Sequence, residues 1–171
     1  MHTGGEDLIF PHHENEIAQS EACTGKPFVR YWLHCKFLLV NGEKMSKSKG
    51  NFYTLRDLVE QGHDPISIRY LLLSHNYRQP LNFTLEGIEQ SKRAVQRINE
   101  FIRRMKEYKT AGVVNDEAEV IGQIEQYRQK FMAALSDDLN IAEALAELFN
   151  GIKFINNLAD AEQIGERSMQ A

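Results

Sequence analysis

The run Lys44-Met45-Ser46-Lys47-Ser48 lies between Gly42 and Gly50, and with Lys49 it brings three lysines and two hydroxyls into one short stretch. Lysine ammoniums neutralise phosphate oxygens, and Ser and Gly let the backbone approach them closely, so such a loop can close on a polyphosphate. A generic Lys/Ser/Gly cluster is more often a solvated basic turn, and composition alone leaves both readings open. A second set lies upstream. His12 and Glu16 stand four positions apart where a helix is expected, so both side chains leave one face and can bind a single metal. The commoner arrangement for a His and a Glu one turn apart is a surface hydrogen-bonded pair.

The elements that must hold these groups follow from pattern. Up to residue 83, short elements alternate with turns. Gly4-Gly5, Leu8-Ile9 and Pro11 indicate a strand end leading into a helix over 12–22, with Pro11 near the first turn, where a missing N–H costs nothing. Residues 24–27 end that helix. The aromatic and branched residues of 31–40 predict a strand, turned at Asn41-Gly42. Thr54 caps a short helix to about residue 61, and Asp64-Pro65 opens another to about residue 74.

Beyond residue 83 the pattern is helical. Thr84 is a candidate N-cap, and Ile88, Val95, Ile98, Phe101, Ile102 and Met105 recur at three- and four-residue steps, with Arg93, Arg97 and Arg104 opposite. Ile121, Ile124, Phe131 and Leu135 mark a second stripe. Ile141, Leu145, Leu148, Ile152 and Ile155 mark a third, capped by Asn140. Three helices joined by polar loops over 109–116 and 136–140 make an antiparallel bundle, with a tail after residue 160 expected to fray. The fold class is α+β, mostly α, in two domains over 1–83 and 84–171.

With 42% hydrophobic and 26% charged residues in 171, the chain reads as globular, and its net charge of -4 excludes a surface that is basic throughout. The basic groups are instead local: residues 26–49 are almost all basic among their ionised groups, and Arg69, Arg78 and the arginines and lysines of 92–106 continue the bias. An RNA partner would meet the middle of the chain. The cysteines, Cys23 and Cys35, have no metal-ligand spacing and read as reduced thiols. The longest aliphatic run, 37–40, is far too short to span a membrane, and the expected location is the cytoplasm.

A longer motif resembles that of a known family. His2-Thr3-Gly4-Gly5-Glu6-Asp7-Leu8-Ile9-Phe10-Pro11-His12-His13-Glu14-Asn15-Glu16-Ile17-Ala18-Gln19-Ser20-Glu21, taken with the Lys44 loop, resembles cysteinyl-tRNA synthetases of class I, closely from residue 2 to about residue 83 and more weakly beyond. The ligase that joins cysteine to an amino-sugar in mycothiol synthesis is a looser resemblance. The family's early His-x-Gly-His nucleotide motif has no match here. The resemblance implies the C-terminal remnant of a Rossmann-like nucleotide-binding domain with a connecting module, followed by a helical tRNA-binding domain, and a segment inactive by itself.

The resemblance also implies roles. Lys44 and Lys47 would be catalytic and would bind ATP, supplied with Mg, while Ser46, Ser48 and Gly50 provide loop hydrogen bonds and mobility. Gly5 and Asp7 would lie on the adenosine side, where the alternative for Asp7 is a turn cap. His2 would line the amino-acid pocket. His12 and Glu16 would be two zinc ligands, completed by two cysteines N-terminal to this segment and matched by neither Cys23 nor Cys35. His13, Glu14 and Asn15 are assigned packing or supporting roles. Trp32 and His34 either face the cleft or pack in a core. The implied partners are tRNA(Cys), cysteine and ATP, for a monomer that touches no membrane. Two other functions stay open: an amino-sugar acceptor in place of tRNA, and a non-catalytic RNA-binding module.

Overall fold

In the computed structural model, which describes residues 1–110, 117–165 and 168, strand β1 (His2–Gly5) runs parallel to β2 (Trp32–Cys35), with His2 opposite Trp32 and Gly4 opposite His34. Parallel neighbours need a crossover, and α1 (Glu14–Thr24) supplies it. The helix starts later than residue 12. Phe10, which precedes Pro11, is extended at φ -134° and ψ 132°, as a following proline favours. Ile9–His13 therefore form a wide turn, and the Glu14 N–H is received by the carbonyls of Ile9 and Pro11. Gly25, at φ 63°, ends α1 by donating its N–H to the Glu21 carbonyl, a left-handed position that glycine fills without a Cβ penalty.

The single strand expected over 31–40 is two strands in two sheets. At Lys36 the backbone N–H goes to the Tyr77 carbonyl at 2.9 Å, and the chain resumes as β3 (Leu38–Val40), which pairs antiparallel with β4 (Glu43–Lys44) and parallel with β5 (Leu81–Phe83). Aromatic and branched residues report fitness for a pleated surface, not the identity of the partner strand. Asn41 and Gly42, at φ 51° and 81°, form the two-residue hairpin turn their types indicate. Asn82 Oδ1 accepts the Gly42 N–H at 2.7 Å.

Helix α2 (Leu55–Glu60) opens with a capping box: Thr54 Oγ1 accepts the Asp57 N–H at 3.1 Å, and Asp57 Oδ2 accepts the Thr54 N–H at 2.8 Å. Helix α3 (Pro65–Leu73) is capped by Asp64, whose carboxylate accepts from the Ile66 and Ser67 N–H groups and the Ser67 hydroxyl. Helices α4 (Leu85–Glu107), α5 (Glu117–Ser136) and α6 (Ile141–Asp160) follow, α6 with Asn140 as its cap. The chain divides into two compact units, Met1–Gln61 with His75–Leu85 and Gly62–Ser74 with Glu86–Ala171. The strands, α1 and α2 build the first, and α3 to α6 the second.

In the helical unit two of the arginines opposite the apolar stripe of α4 find partners on α6: Arg97 stands 4.7 Å over the Phe149 ring, and Arg104 donates to Asn156 at 3.0 Å and to Asp160 at 2.5 Å. Against expectation, the described part of the tail does not fray. Ile164 and Ser168 are buried, lining a small apolar hollow with Phe101, Met105, Ile124 and Leu158. Ile164 finds apolar neighbours that no local periodicity announces. Of the loop expected over 109–116, residues 111–116 lie outside the described residues. Among the described residues no helix is long and apolar enough to cross a membrane.

Candidate functional site

All the candidate residues fall in the first unit, where they form two groups. In the first, strand alternation puts Trp32 and His34 of β2 on the same face, and their rings lie parallel, 6.1 Å apart. His2, opposite Trp32 in register, meets that ring edge-on at 5.0 Å and the His13 ring at 4.8 Å. His13 closes the cluster from the turn before α1. It is 3% exposed, and its Nδ1 shares a hydrogen bond of 2.8 Å with His34 Nε2. Gly4 makes room for it: a Cβ there would come within 2.8 Å of His13 Cε1 and 2.9 Å of Leu8 Cδ1.

Glu16 stands at the mouth of this cluster. Its Oε2 accepts from His2 Nε2 at 2.8 Å and lies 3.9 Å from His13 Nε2, while its Oε1 lies 3.9 Å from His12 Nε2. One donor atom each from His2, His13 and Glu16 falls within 4.8 Å of the others. His12 is the outermost, with a side chain 61% exposed. Burial above all, then the imidazole of His2, holds His13 below the ordinary histidine pKa; His34 and His12 add to this and the Glu16 carboxylate opposes it. His13 is thus kept as a neutral imidazole, a form with a lone pair to offer. Before the turn that carries these histidines Asp7 folds over Gly5, so that a Cβ on Gly5 would clash with Asp7 Oδ1. Glu6 is paired with Lys36.

The second group is the Lys44 loop. Lys44 ends β4, Ser46 is extended at φ -153°, and Lys47–Lys49 make one tight turn closed by Gly50 at φ 68°. That left-handed glycine sends the chain back, so that Asn51 Oδ1 accepts the Ser46 N–H at 2.9 Å and Asn51 Nδ2 donates to the Lys44 carbonyl at 3.3 Å. The Ser46 and Ser48 hydroxyls bond each other at 2.7 Å. Both lysine side chains rest on aromatic faces: Lys44 Nζ is 4.7 Å from the Phe37 centroid, and Lys47 Nζ is 5.3 Å from that of Phe52. Both residues are exposed, so their ammoniums are open to an anion.

Sequence reasoning named His2, His12, Glu16, Gly5, Asp7, Ser46, Ser48 and the two lysines; the fold brings His2 to Glu16 and Asp7 to Gly5, and it gathers His2 and His13, not His12, with Glu16, leaving His12 exposed at 3.9 Å from that carboxylate. The same reasoning gave His13 only a supporting role and assigned nothing to Asn51, Phe37 or Phe52. The available signals were faint: Asn51 directly follows the loop's second glycine, and each Phe stands within a few positions of a lysine.

Comparisons with known proteins give the family. The tRNA synthetases class I (C) catalytic domain family matches residues 1–93, and the DALR domain family matches residues 130–171. The cysteine–tRNA ligase of Brachyspira hyodysenteriae is 49% identical over 167 residues, which cover 98% of this chain and 35% of the relative. That of Solibacter usitatus is 51% identical over 161 residues, covering 94% and 34%. The chain therefore spans about a third of the length of these curated relatives. Among solved structures, the Agrobacterium radiobacter K84 agnB2 LeuRS in its ternary complex with tRNA and LeuAMS matches with a TM-score of 0.67 at 18% identity, over 94% of this chain and 23% of that one, a likeness of fold. With its N-terminal half matched by the class I (C) catalytic domain and relatives of about 50% identity along nearly its whole length, the chain belongs to the cysteinyl-tRNA synthetase family.

Proposed function

We propose that this chain is part of an ATP-dependent ligase that activates cysteine as cysteinyl-adenylate and passes the cysteinyl group to tRNA(Cys). The observation that carries the reading is the Lys44 loop, with two exposed ammoniums on a pinned backbone in the same compact unit as the His2–Glu16 cluster. Activation is attack by the amino-acid carboxylate on the α-phosphate of ATP, with pyrophosphate leaving. Negative charge grows on the leaving oxygens, and cations fixed there lower the barrier. Lys47 takes that role, with Lys44 beside it. Leaving an aromatic rest on an exposed face costs each lysine only about 0.5–1 kcal/mol, so contact with phosphate readily outweighs it.

Gly5 and Asp7 serve the adenosine side: the exposed Asp7 carboxylate is an acceptor for ribose hydroxyls, and Gly5 allows it to lie against the strand end. His2 lines the amino-acid pocket, held by Trp32 and Glu16. The donors fit zinc: each Glu16 oxygen faces an imidazole nitrogen, and nitrogen and carboxylate oxygen are ordinary zinc ligands. His12 and Glu16 would hold it, and the ion when bound favours a thiolate over a hydroxyl. His13, buried and neutral, keeps His2 and Glu16 in place without bringing a competing charge.

The test uses the full-length enzyme and cysteine-dependent exchange of pyrophosphate into ATP. Lys47→Ala should slow exchange by about 10²–10³-fold, the cost of one preorganised transition-state contact. A rate within about twofold of wild type would remove Lys47 from this role. Offering tRNA(Cys) and an amino-sugar in parallel identifies the acceptor, and transfer to the sugar alone would overturn the tRNA half of the reading.

A further inference from the structure

The groups at either end of the Lys44 loop are well placed, yet the strand that carries Lys44 stops there. Beyond β4 the Lys44 carbonyl and the Ser46 N–H flank Met45 as two main-chain groups that a neighbouring strand would normally satisfy. Here a side chain does it. The carboxamide of Asn51 receives the Ser46 N–H at 2.9 Å and donates to the Lys44 carbonyl at 3.3 Å, so it acts as a peptide group extending the ladder by one step. Asparagine alone among the short side chains offers both a donor and an acceptor on one planar group; aspartate only accepts and alanine does neither. The reach depends on Gly50, whose φ of 68° turns the chain back after Lys47–Lys49. Nothing lies within 4 Å of a Cβ placed on Gly50, so the requirement there is for the backbone angle, not for space.

We propose that Asn51 is the positioning residue of this loop: by clamping the backbone on both sides of Met45 it fixes the extended Ser46 and hence the direction in which Lys47 leaves the chain. It touches no phosphate itself and acts through Lys47. Without it, residues 45–47 have more backbone conformations, and the ammonium must be ordered anew each time charge develops on the leaving group. The proposal rests on the ligase reading.

The test is a double-mutant cycle on the full-length enzyme, with cysteine-dependent pyrophosphate exchange read as kcat and KM. Asn51→Ala should lower kcat about tenfold, the scale of two modest hydrogen bonds, with KM for cysteine unchanged. In the Lys47→Ala background the same change should have a much smaller effect, because its main route to the chemistry is gone and only the Lys44 side of the clamp remains. Asn51→Asp, which keeps the acceptor and loses the donor, should fall between wild type and Asn51→Ala, and it serves if the alanine variant does not fold. Full activity of both Asn51 variants, or an equal loss with and without Lys47, overturns the proposal. The ligase reading fails separately, if wild type shows no exchange or Lys47→Ala is harmless.

Discussion

In the unit of Met1–Gln61 and His75–Leu85 the strands have two to four residues, and a histidine, His13, is buried there alongside Val40, Leu58 and Phe83. The unit of Gly62–Ser74 and Glu86–Ala171 rests on helices of 23, 20 and 20 residues, and its apolar core includes Ile88, Ala134, Ala144, Ile152 and Ile164. The first unit fixes its reactive groups through side chains that stand in for backbone or for one another: Asn51 on the Lys44 loop, His34 on His13, Glu16 on His2. The second fixes its elements through helical stripes. A polar group held by one or two hydrogen bonds can be displaced by a substrate, whereas a packed isoleucine has no alternative partner. The proposed chemistry therefore falls in the unit with less apolar packing.

The comparison would break first at Ile88. This residue of α4 is 1% exposed, and Ile88→Ala should cost about 2–5 kcal/mol, as truncation at a buried isoleucine removes transfer energy and leaves a cavity. Denaturant unfolding of the 171-residue chain measures it. Lys47→Ala in the same assay should stay within about 1 kcal/mol, since an exposed cation–π contact is all it loses. Equal losses at the two positions would mean that the units do not divide stability and chemistry in this way.

That division also explains what could be read from the chain. Helix α6 was legible because five apolar residues repeat at helical steps behind Asn140, which does accept the Glu143 N–H; local pattern and cap agree. The Asn41-Gly42 turn, the Thr54 cap and the Asp64-Pro65 start were legible for the same reason. The break between β2 and β3 was not, because a strand's partner lies far away in sequence: β1 is some thirty residues before β2, and β5 some forty after β3. Within the site, type and spacing single out Lys44 and Lys47, and His12 and Glu16, but leave a basic turn and a surface pair as open as a phosphate loop and a metal pair, and only the resemblance chooses between them. The bond from His13 to His34 spans 21 positions, and no spacing rule reaches that far. The bonds of Arg104 are out of reach for the same reason, since its partners Asn156 and Asp160 are 52 and 56 positions on.

Helix caps sharpen the contrast on a smaller scale. Helix α2 has six residues, too few to hold itself, since isolated helices under about 12–15 residues are marginal. Its reciprocal Thr54–Asp57 bonds carry much of its definition. Thr54→Ala should cost about 1–2 kcal/mol, toward the upper end for a lost cap. Asn140→Ala should cost about 0.5 kcal/mol, because its acceptor bond is long, at 3.4 Å, and α6 has twenty residues and packing to hold it. Native-state hydrogen exchange at residues 55–60 and 141–145 gives both values from the same samples. A larger loss at Asn140 would reverse the contrast between a short helix held by its cap and a long one held by packing.

The smallest effect expected lies on the surface of the helical unit, and it appears only in acid. Glu125 receives both a 2.6 Å bond from Arg128 Nε and a 2.7 Å bond from its terminal nitrogen, and Gln129 donates at 3.0 Å. Bonding to Arg128, then to Gln129, lowers the Glu125 pKa from 4.5 to about 2. Because the folded carboxylate holds its charge to lower pH than the unfolded one, the unfolded chain takes up the extra proton as pH falls. The contribution is therefore complete above pH 4.5 and drains away between 4.5 and about 2. Glu125→Gln removes the titration, so the stability difference between wild type and variant should shrink through that window and be constant above it. Side chains this exposed, at 40% for Glu125 and 64% for Arg128, are screened by solvent and salt, so the difference should be small even at pH 7 and fall further in high salt. A difference that grows on acidification would show that the pair is not formed in solution as it is here, and that α5 owes its stability to packing alone.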